Sequence, residues 1–317
     1  MKLGQVLSFI VGGSILLYLF NKIGFGKIKA AVLSLNPVYM LGFFFFIALS
    51  VILKGLKWKM SLGIFDIKTK LLDATEMWII GFSIGAMTPG RMGDFVKILY
   101  LDEKKSKSMG AVLLDRLTDV FAVLVFALMG LGIFGSAVGS AKQMIFLAFA
   151  ALLAGILILK KYHKPLSGAV LSRIVPKKYR ASLKEGAAHF FESSRQALKY
   201  RKRIFGISLM SVFIWMVSGL QGFIIARSLG IGIGYLPLLF ILSIVALVEL
   251  IPITVAGLGT REATIVFLMS VLGVESEKAI VFSLVNFIFG YLVLALVGYV
   301  FWLRRPVSFG NAKRTHI

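Results

Sequence analysis

The sequence predicts an all-α polytopic membrane protein, and three observations carry that expectation. First, 58% of the 317 residues are hydrophobic, only 16% are charged, and mean hydropathy is +0.90. Soluble domains run at roughly 45–50% apolar. Second, six uncharged runs of 17 to 25 residues recur along the chain, and about 20 apolar helical residues cross a bilayer core. Third, the remaining charges gather between those runs, so lipid is the solvent of most of the chain.

The runs occupy 3–20, 30–53, 120–141, 143–159, 204–226 and 279–303, and each is expected to be a spanning helix. The first is followed by Asn21 and Lys22 and lacks a small-residue cleavage pattern, so it reads as a retained helix. Two further apolar stretches are interrupted. Residues 71–101 carry Asp73, Glu76, Arg91, Asp94 and Lys97; residues 235–272 carry Pro237, Glu249, Pro252, Arg261 and Glu262 around a glycine-rich break at 256–259. Irregular backbone survives at membrane depth only where protein or a water-filled cavity satisfies it. Each stretch therefore reads as helix, break, helix: a re-entrant hairpin.

Charge placement orients this arrangement. With both termini cytoplasmic and two hairpins, 27 of the 36 Lys and Arg fall inside, among them the five lysines of 54–70, and six fall outside. That is the asymmetry the positive-inside rule demands. The first hairpin then enters from the cytoplasm and the second from outside. Such oppositely oriented broken elements suggest an inverted repeat, and transporters bind their cargo where such repeats meet. Residues 1–317 are read as one integral membrane domain of the cell membrane. Segment 160–203 is its basic cytoplasmic stretch, either an interfacial helix or a solvated linker between halves.

The net charge of +22 would suit nucleic acid, but the basic residues flank apolar segments and form no soluble basic face. Anionic headgroups and topology explain them better. The absence of cysteine excludes disulfides, thiolate catalysis and Cys-ligated metals. The three histidines lie far apart in polar segments, so no metal or other cofactor is expected.

Three constellations can carry chemistry. In Thr88-Pro-Gly-Arg-Met-Gly-Asp94, Pro89 stops the incoming helix, Gly90 and Gly93 permit a tight turn, and Asp94 is placed to cap the outgoing helix. A helix N-terminus beside Arg91 suits an anion such as phosphate; alternatively Arg91 and Asp94 pair to hold the turn. The stretch 252–262 repeats that logic with Gly257, Gly259, Arg261 and Glu262, and Glu249 just before it is either an ion-coupling site or the partner of Arg261. Asp115 and Asp119 stand four residues apart on one helix face. They either bind a cationic headgroup, counter Arg91, or face water at the membrane boundary.

The Pro-Gly-Arg-x-Gly-acid element at 89–94, the Asp-Arg-Leu-x-Asp element at 115–119 and the Gly-Leu-Gly-x-Arg-Glu element at 257–262 resemble the lysylphosphatidylglycerol synthase transmembrane-region family. That family includes the flippase domain of the bacterial multiple peptide resistance factor and stand-alone bacterial and archaeal relatives. The resemblance implies a domain that moves lipids between leaflets, with Arg91 and Asp94 at one half-site and Arg261 and Glu262 at the other. The chain has Asp94 where the family often has Glu, and Ala256-Gly257 where it often has Gly-Gly. The soluble aminoacyl-transferase domain of two-domain relatives is not expected, since only 304–317 follow the last run.

The function expected is translocation of a lipid with a phosphate-bearing or aminoacylated headgroup, without enzymatic activity. The partners expected are membrane lipids with anionic or aminoacylated headgroups, with a lipid-modifying enzyme and a homodimer as further candidates. A non-transporting scaffold for such an enzyme is one rival. The other is an intramembrane transferase or phosphatase, against which the Asp-Gly-x-x-Ala-Arg pattern and paired histidines are missing.

Overall fold

A computed structural model describes residues 35–86, 88–101, 103, 105–161, 199–251, 254 and 257–305, with 26, 29, 33 and 197 as single positions. Side chains at 89–92, 105, 106, 141, 153 and 155–161 fall outside the described set. Its regular elements are all helices: α1 Pro37–Ile64, α2 Leu71–Ala86, a 3-10 helix Pro89–Tyr100, α3 Lys105–Phe134, α4 Ala141–Lys161, α5 Arg201–Ser228, α6 Tyr235–Leu250, α7 Thr260–Val271, α8 Ser276–Val285, a π-helical stretch Asn286–Leu292 and α9 Val293–Arg304.

Four helices among the described residues are long and apolar enough to cross a membrane: Pro37–Ile64, Lys107–Phe134, Arg201–Ser228 and Ser276–Arg304. They correspond to the expected spans over 30–53, 120–141, 204–226 and 279–303. The span expected over 143–159 lies in α4, of which Lys142–Leu152 forms a shorter apolar helix. The span expected over 3–20, and nearly all of 160–203, lie outside the described residues.

Local chemistry sets the helix ends. Asn36 caps α1 by accepting from the Val38 N–H at 2.9 Å, and Pro37 follows at the first helical position, where its missing N–H costs nothing. The uncharged run ends at Leu53, yet α1 continues to Ile64. Lys57, expected in the aqueous 54–70 stretch, is 1% exposed inside the bundle; its charge is matched there, so it does not end the span. Both interrupted stretches are helix, break, helix. In the first, the second arm folds back on α2, with Gly93 against the Ile84–Gly85 backbone and Lys97 against Gly81.

Apart from α4, the described elements of the two halves match in order. Helices α1 and α5 have 28 residues each, α2 and α6 have 16 each, and the 3-10 helix and α7 have 12 each. The long α3 corresponds to the span Ser276–Arg304. With Pro37 set on Arg201 and Leu71 on Tyr235, Gly55 falls on Gly219 and Thr75 on Leu239. These are contacts of the same kind: a Cβ on Gly55 would come within 2.8 Å of Thr75 Cβ, and one on Gly219 within 3.1 Å of Leu239 Cβ. Small residues let helix backbones approach closely in lipid, where packing replaces the hydrophobic effect. Between halves the partners are exchanged: α1 packs on α5, α2 on α9, and α3 on α6. The Ser83 hydroxyl donates to Ala295 O at 2.6 Å across the α2–α9 contact.

The apolar core is divided. One cluster gathers Phe43, the C-terminal half of α3 and much of α6 to α8; the other gathers Trp58 to Ile67, the start of α2, and Ala111 to Leu114. The middle turns of α1, α3 and α5 lie between them.

Candidate functional site

A cavity of about 240 Å³ occupies that middle band. Most of its wall comes from matched positions: Ser50 and Ile214, Val51 and Trp215, Lys54 and Ser218, Phe82 and Ala246 in the register given above. With Val120 set on Tyr291, Asp119 falls on Gly290 and Val123 on Leu294, and all six line it. The cavity therefore sits where the halves meet. The π-helical stretch supplies Gly290 and Tyr291 to the wall, a place where such stretches often mark function.

Charge enters this wall through three ion-paired groups. Asp94, 4% exposed, pairs with Arg116 across from the 3-10 helix to α3. Asp119 accepts from Lys57 at 2.5 Å. Lys57 also lies 3.0 Å from Asp115 Oδ1 and donates to the Asp115 carbonyl at 2.9 Å, while Lys97 donates to Asp115 Oδ2 at 2.9 Å. Lys97 sits over the Trp58 ring at 4.4 Å, and Lys54 over Trp78 at 4.9 Å. Buried charges persist only when paired and hydrogen-bonded, and here two lysines and two aspartates neutralise one another.

The third group belongs to the second half. Arg261 Nε donates to Glu262 Oε1 at 3.0 Å, and a second guanidinium nitrogen also bonds that oxygen. The guanidinium lies over Phe287 at 4.3 Å and 3.9 Å from Glu249 Oε1. Glu262 Oε2 accepts from the Gly259 N–H at 2.6 Å, closing the first turn of α7. Gly257 and Gly259 have φ of +69° and +81°, which a side chain rarely adopts. A Cβ on Gly257 would meet Glu249 Cγ at 2.8 Å, so this turn fits closely against the carboxylate that faces the cavity.

The structure thus brings Asp94, Asp119 and Glu249 to one cavity. Asp115 and Arg261 stand behind that wall: Arg261 pairs with Glu249 directly, Asp115 pairs with Lys57, which in turn pairs with Asp119, and Glu262 holds Arg261. Glu249 is within ion-pair distance of Arg261, the second of its two sequence alternatives. Asp94 does not cap the outgoing helix. That helix begins at Pro89 behind Thr88, whose hydroxyl accepts from the Gly93 N–H at 2.7 Å and donates to Gly85 O at 3.0 Å. Proline's fixed φ starts the helix there, leaving Asp94 mid-helix and free to reach Arg116. Gly90 and Arg91 lie in the first turn of the same helix, and the Arg91 side chain falls outside the described set.

Sequence reasoning missed Lys54, Lys57 and Arg116, counted as aqueous topology signals, and Gln221, hidden inside an uncharged run. A signal existed for the lysines: Lys54, Lys57 and Trp58 share a helix face continuous with the preceding span. Among the described residues, no group of three His, Cys, Asp or Glu could hold a metal.

The pattern of the family described as the lysylphosphatidylglycerol synthase TM region matches residues 5–298. A UPF0104 membrane protein of Pyrococcus horikoshii is 23% identical, with 95% of this chain and 97% of the relative covered. Two UPF0104 membrane proteins of Methanothermobacter thermautotrophicus are 22% and 21% identical, covering 93% and 94% of this chain and 91% and 94% of their own lengths. No solved structure matches the chain.

Proposed function

The chain belongs to the lysylphosphatidylglycerol synthase TM-region family, and from that premise we propose that it carries phospholipid headgroups from one leaflet of the cell membrane to the other. The observation that carries this reading is the charged, ion-paired cavity at the middle of otherwise apolar helices, walled equally by both halves. Ionisable groups at membrane depth are costly and mark substrate pathways. Lys54 and Arg116 offer donors to a phosphate, and the acyl chains stay in lipid beside the helices. The activity is translocation without covalent chemistry.

The matched halves supply a mechanism. We read the two broken elements as re-entrant hairpins of opposite orientation, so the halves form an inverted repeat. Rocking one half on the other about the α1–α5 contact would open the cavity to each side in turn. The ion-paired clusters hold each half rigid: Lys57, Lys97, Asp115 and Asp119 tie α1, the 3-10 helix and α3, while Arg261, Glu249 and Glu262 tie α6 to α7.

The test is a leaflet-exchange assay. The purified full chain is placed in vesicles carrying acyl-labelled fluorescent phosphatidylglycerol, and an impermeant reductant quenches the outer leaflet. Protein-containing vesicles should lose nearly all fluorescence, empty vesicles about half, and Lys54→Ala with Arg116→Ala should behave as empty vesicles. Equal plateaus with and without wild-type protein would overturn the reading and favour the scaffold alternative.

A further inference from the structure

The wall contributed by the second half differs in chemistry from its counterpart. Where the first half has Lys54, the second has Ser218; where it has Asp119, Gly290; and Gln221 on the second wall matches Lys57, which stands behind the first. The scaffold is matched, but charge is confined to one side, apart from Glu249. The neutral side still has hydrogen-bonding capacity, and the bonds already made define what remains.

Gln221 Nε2 donates to the Phe46 carbonyl at 2.7 Å and to the Ser50 hydroxyl at 2.7 Å. Both amide hydrogens are thereby used, and the assignment is fixed because a carbonyl only accepts. The amide oxygen makes no hydrogen bond among the described residues, and Gln221 lines the cavity. Ser218 has likewise spent its hydrogen on the Ile214 carbonyl at 3.0 Å, leaving its oxygen an acceptor. One helical turn of α5 therefore presents acceptors alone to a space whose opposite wall presents Lys54 and Arg116.

We infer that the cavity selects phospholipids whose headgroup carries a hydrogen-bond donor beyond the phosphate, and that Gln221 is the residue that reads this donor. The inference rests on the translocation reading and names the substrate class of that site. Phosphate is held on the first-half wall, and a hydroxyl or ammonium of the same headgroup is held by the Gln221 carbonyl. A phosphate monoester without a further group leaves the acceptor unmet. A trimethylammonium headgroup fills the space but has no N–H to donate. Sites built to hydrogen-bond a donor discriminate against analogues lacking it, because the acceptor is then stripped of water by the bound headgroup and left unpaired.

The test compares four acyl-labelled lipids in the leaflet-exchange assay: phosphatidylglycerol, phosphatidylethanolamine, phosphatidic acid and phosphatidylcholine. Wild type should move the first two about tenfold faster than the last two. Gln221→Met, which keeps length but removes the acceptor together with both amide donors, should collapse the ranking, so that the four lipids move at one rate. Ser50→Ala, which removes one of the bonds that position the amide but keeps its free oxygen, should retain the ranking. If Gln221→Met does not fold, the wild-type ranking decides alone. Movement of all four lipids at one rate by wild type, or an unchanged ranking in a folded Gln221→Met, overturns the inference while translocation stands. Movement of none overturns the translocation reading itself.

Discussion

Lys57 and Lys97 divide the two oxygens of the Asp115 carboxylate, at 3.0 Å and 2.9 Å, although they come from different helices and Asp115 from a third. All three side chains are within 2% of complete burial. Removing one member of such a group leaves an uncompensated buried charge, which costs roughly 3–5 kcal/mol. Asp115→Asn should therefore lower the melting temperature of the detergent-solubilised protein sharply. Adding Lys97→Met should recover part of the loss, because two charges are then removed together. Additive losses in the double variant would show that the lysine and the aspartate are independent.

That cluster also marks where the sequence stopped being legible. Uncharged runs located the four long apolar helices, and the proline–glycine breaks located the interruptions, because both signals are local. Pairing between helices is not local. Lys57 looked like a topology signal because a lysine ends an apolar run unless an acid elsewhere meets it, and Asp115 and Asp119 stand some sixty residues away. Arg91 was an equally good sequence partner for Asp94, but only the fold brings Arg116 beside it. The matching of halves was hidden for a similar reason. Gly55 and Gly219 become equivalent only once the ends of α1 and α5 are known.

The equivalence of those glycines makes a packing prediction. A Cβ at Gly219 would lie 2.7 Å from Leu239 Cδ1, whereas one at Gly206, on the same helix, meets nothing within 4 Å. Gly219→Ala should destabilise by about 1–3 kcal/mol through overpacking. Gly206→Ala should be neutral or slightly stabilising, since alanine is the better helix former. Comparing the two melting curves separates helix contact from helix propensity.

At the start of α7 the backbone itself is the constraint. Gly259 holds φ at +81° while its N–H is taken by Glu262. Gly259→Ala should cost about 1–3 kcal/mol for holding a side chain at positive φ with negative ψ. Glu262→Gln should cost more, since it removes the charge that pairs with buried Arg261. Limited proteolysis near 252–262 reads the local loosening, with Glu262→Gln expected to be cut sooner than Gly259→Ala.

The natural absence of cysteine makes motion between the halves directly testable. Two pairs bridge elements of one half: Gly55 with Thr75, and Gly219 with Leu239. Two others bridge the halves: Gly130 with Phe240, and Gly298 with Ser83, where a built Cβ lies 2.8 Å from its partner's Cβ in both cases. A disulfide needs Cβ atoms roughly 3.5–4.5 Å apart, so the helices must separate by about 1 Å for each pair to close, which at Gly298 must also clear the Ile79 carbonyl and at Gly55 the Thr75 backbone. If the halves rock as rigid units, oxidation of Gly55→Cys with Thr75→Cys, or Gly219→Cys with Leu239→Cys, should leave leaflet exchange at the reduced rate. Oxidation of either inter-half pair should stop exchange, and reductant should restore it. The two inter-half bonds hold α3 to α6 and α2 to α9, the contacts that map onto one another when the elements of the halves are matched in order. Exchange that survives both of them would mean that lipid crosses without relative movement of the halves, along a fixed path past Lys54 and Arg116.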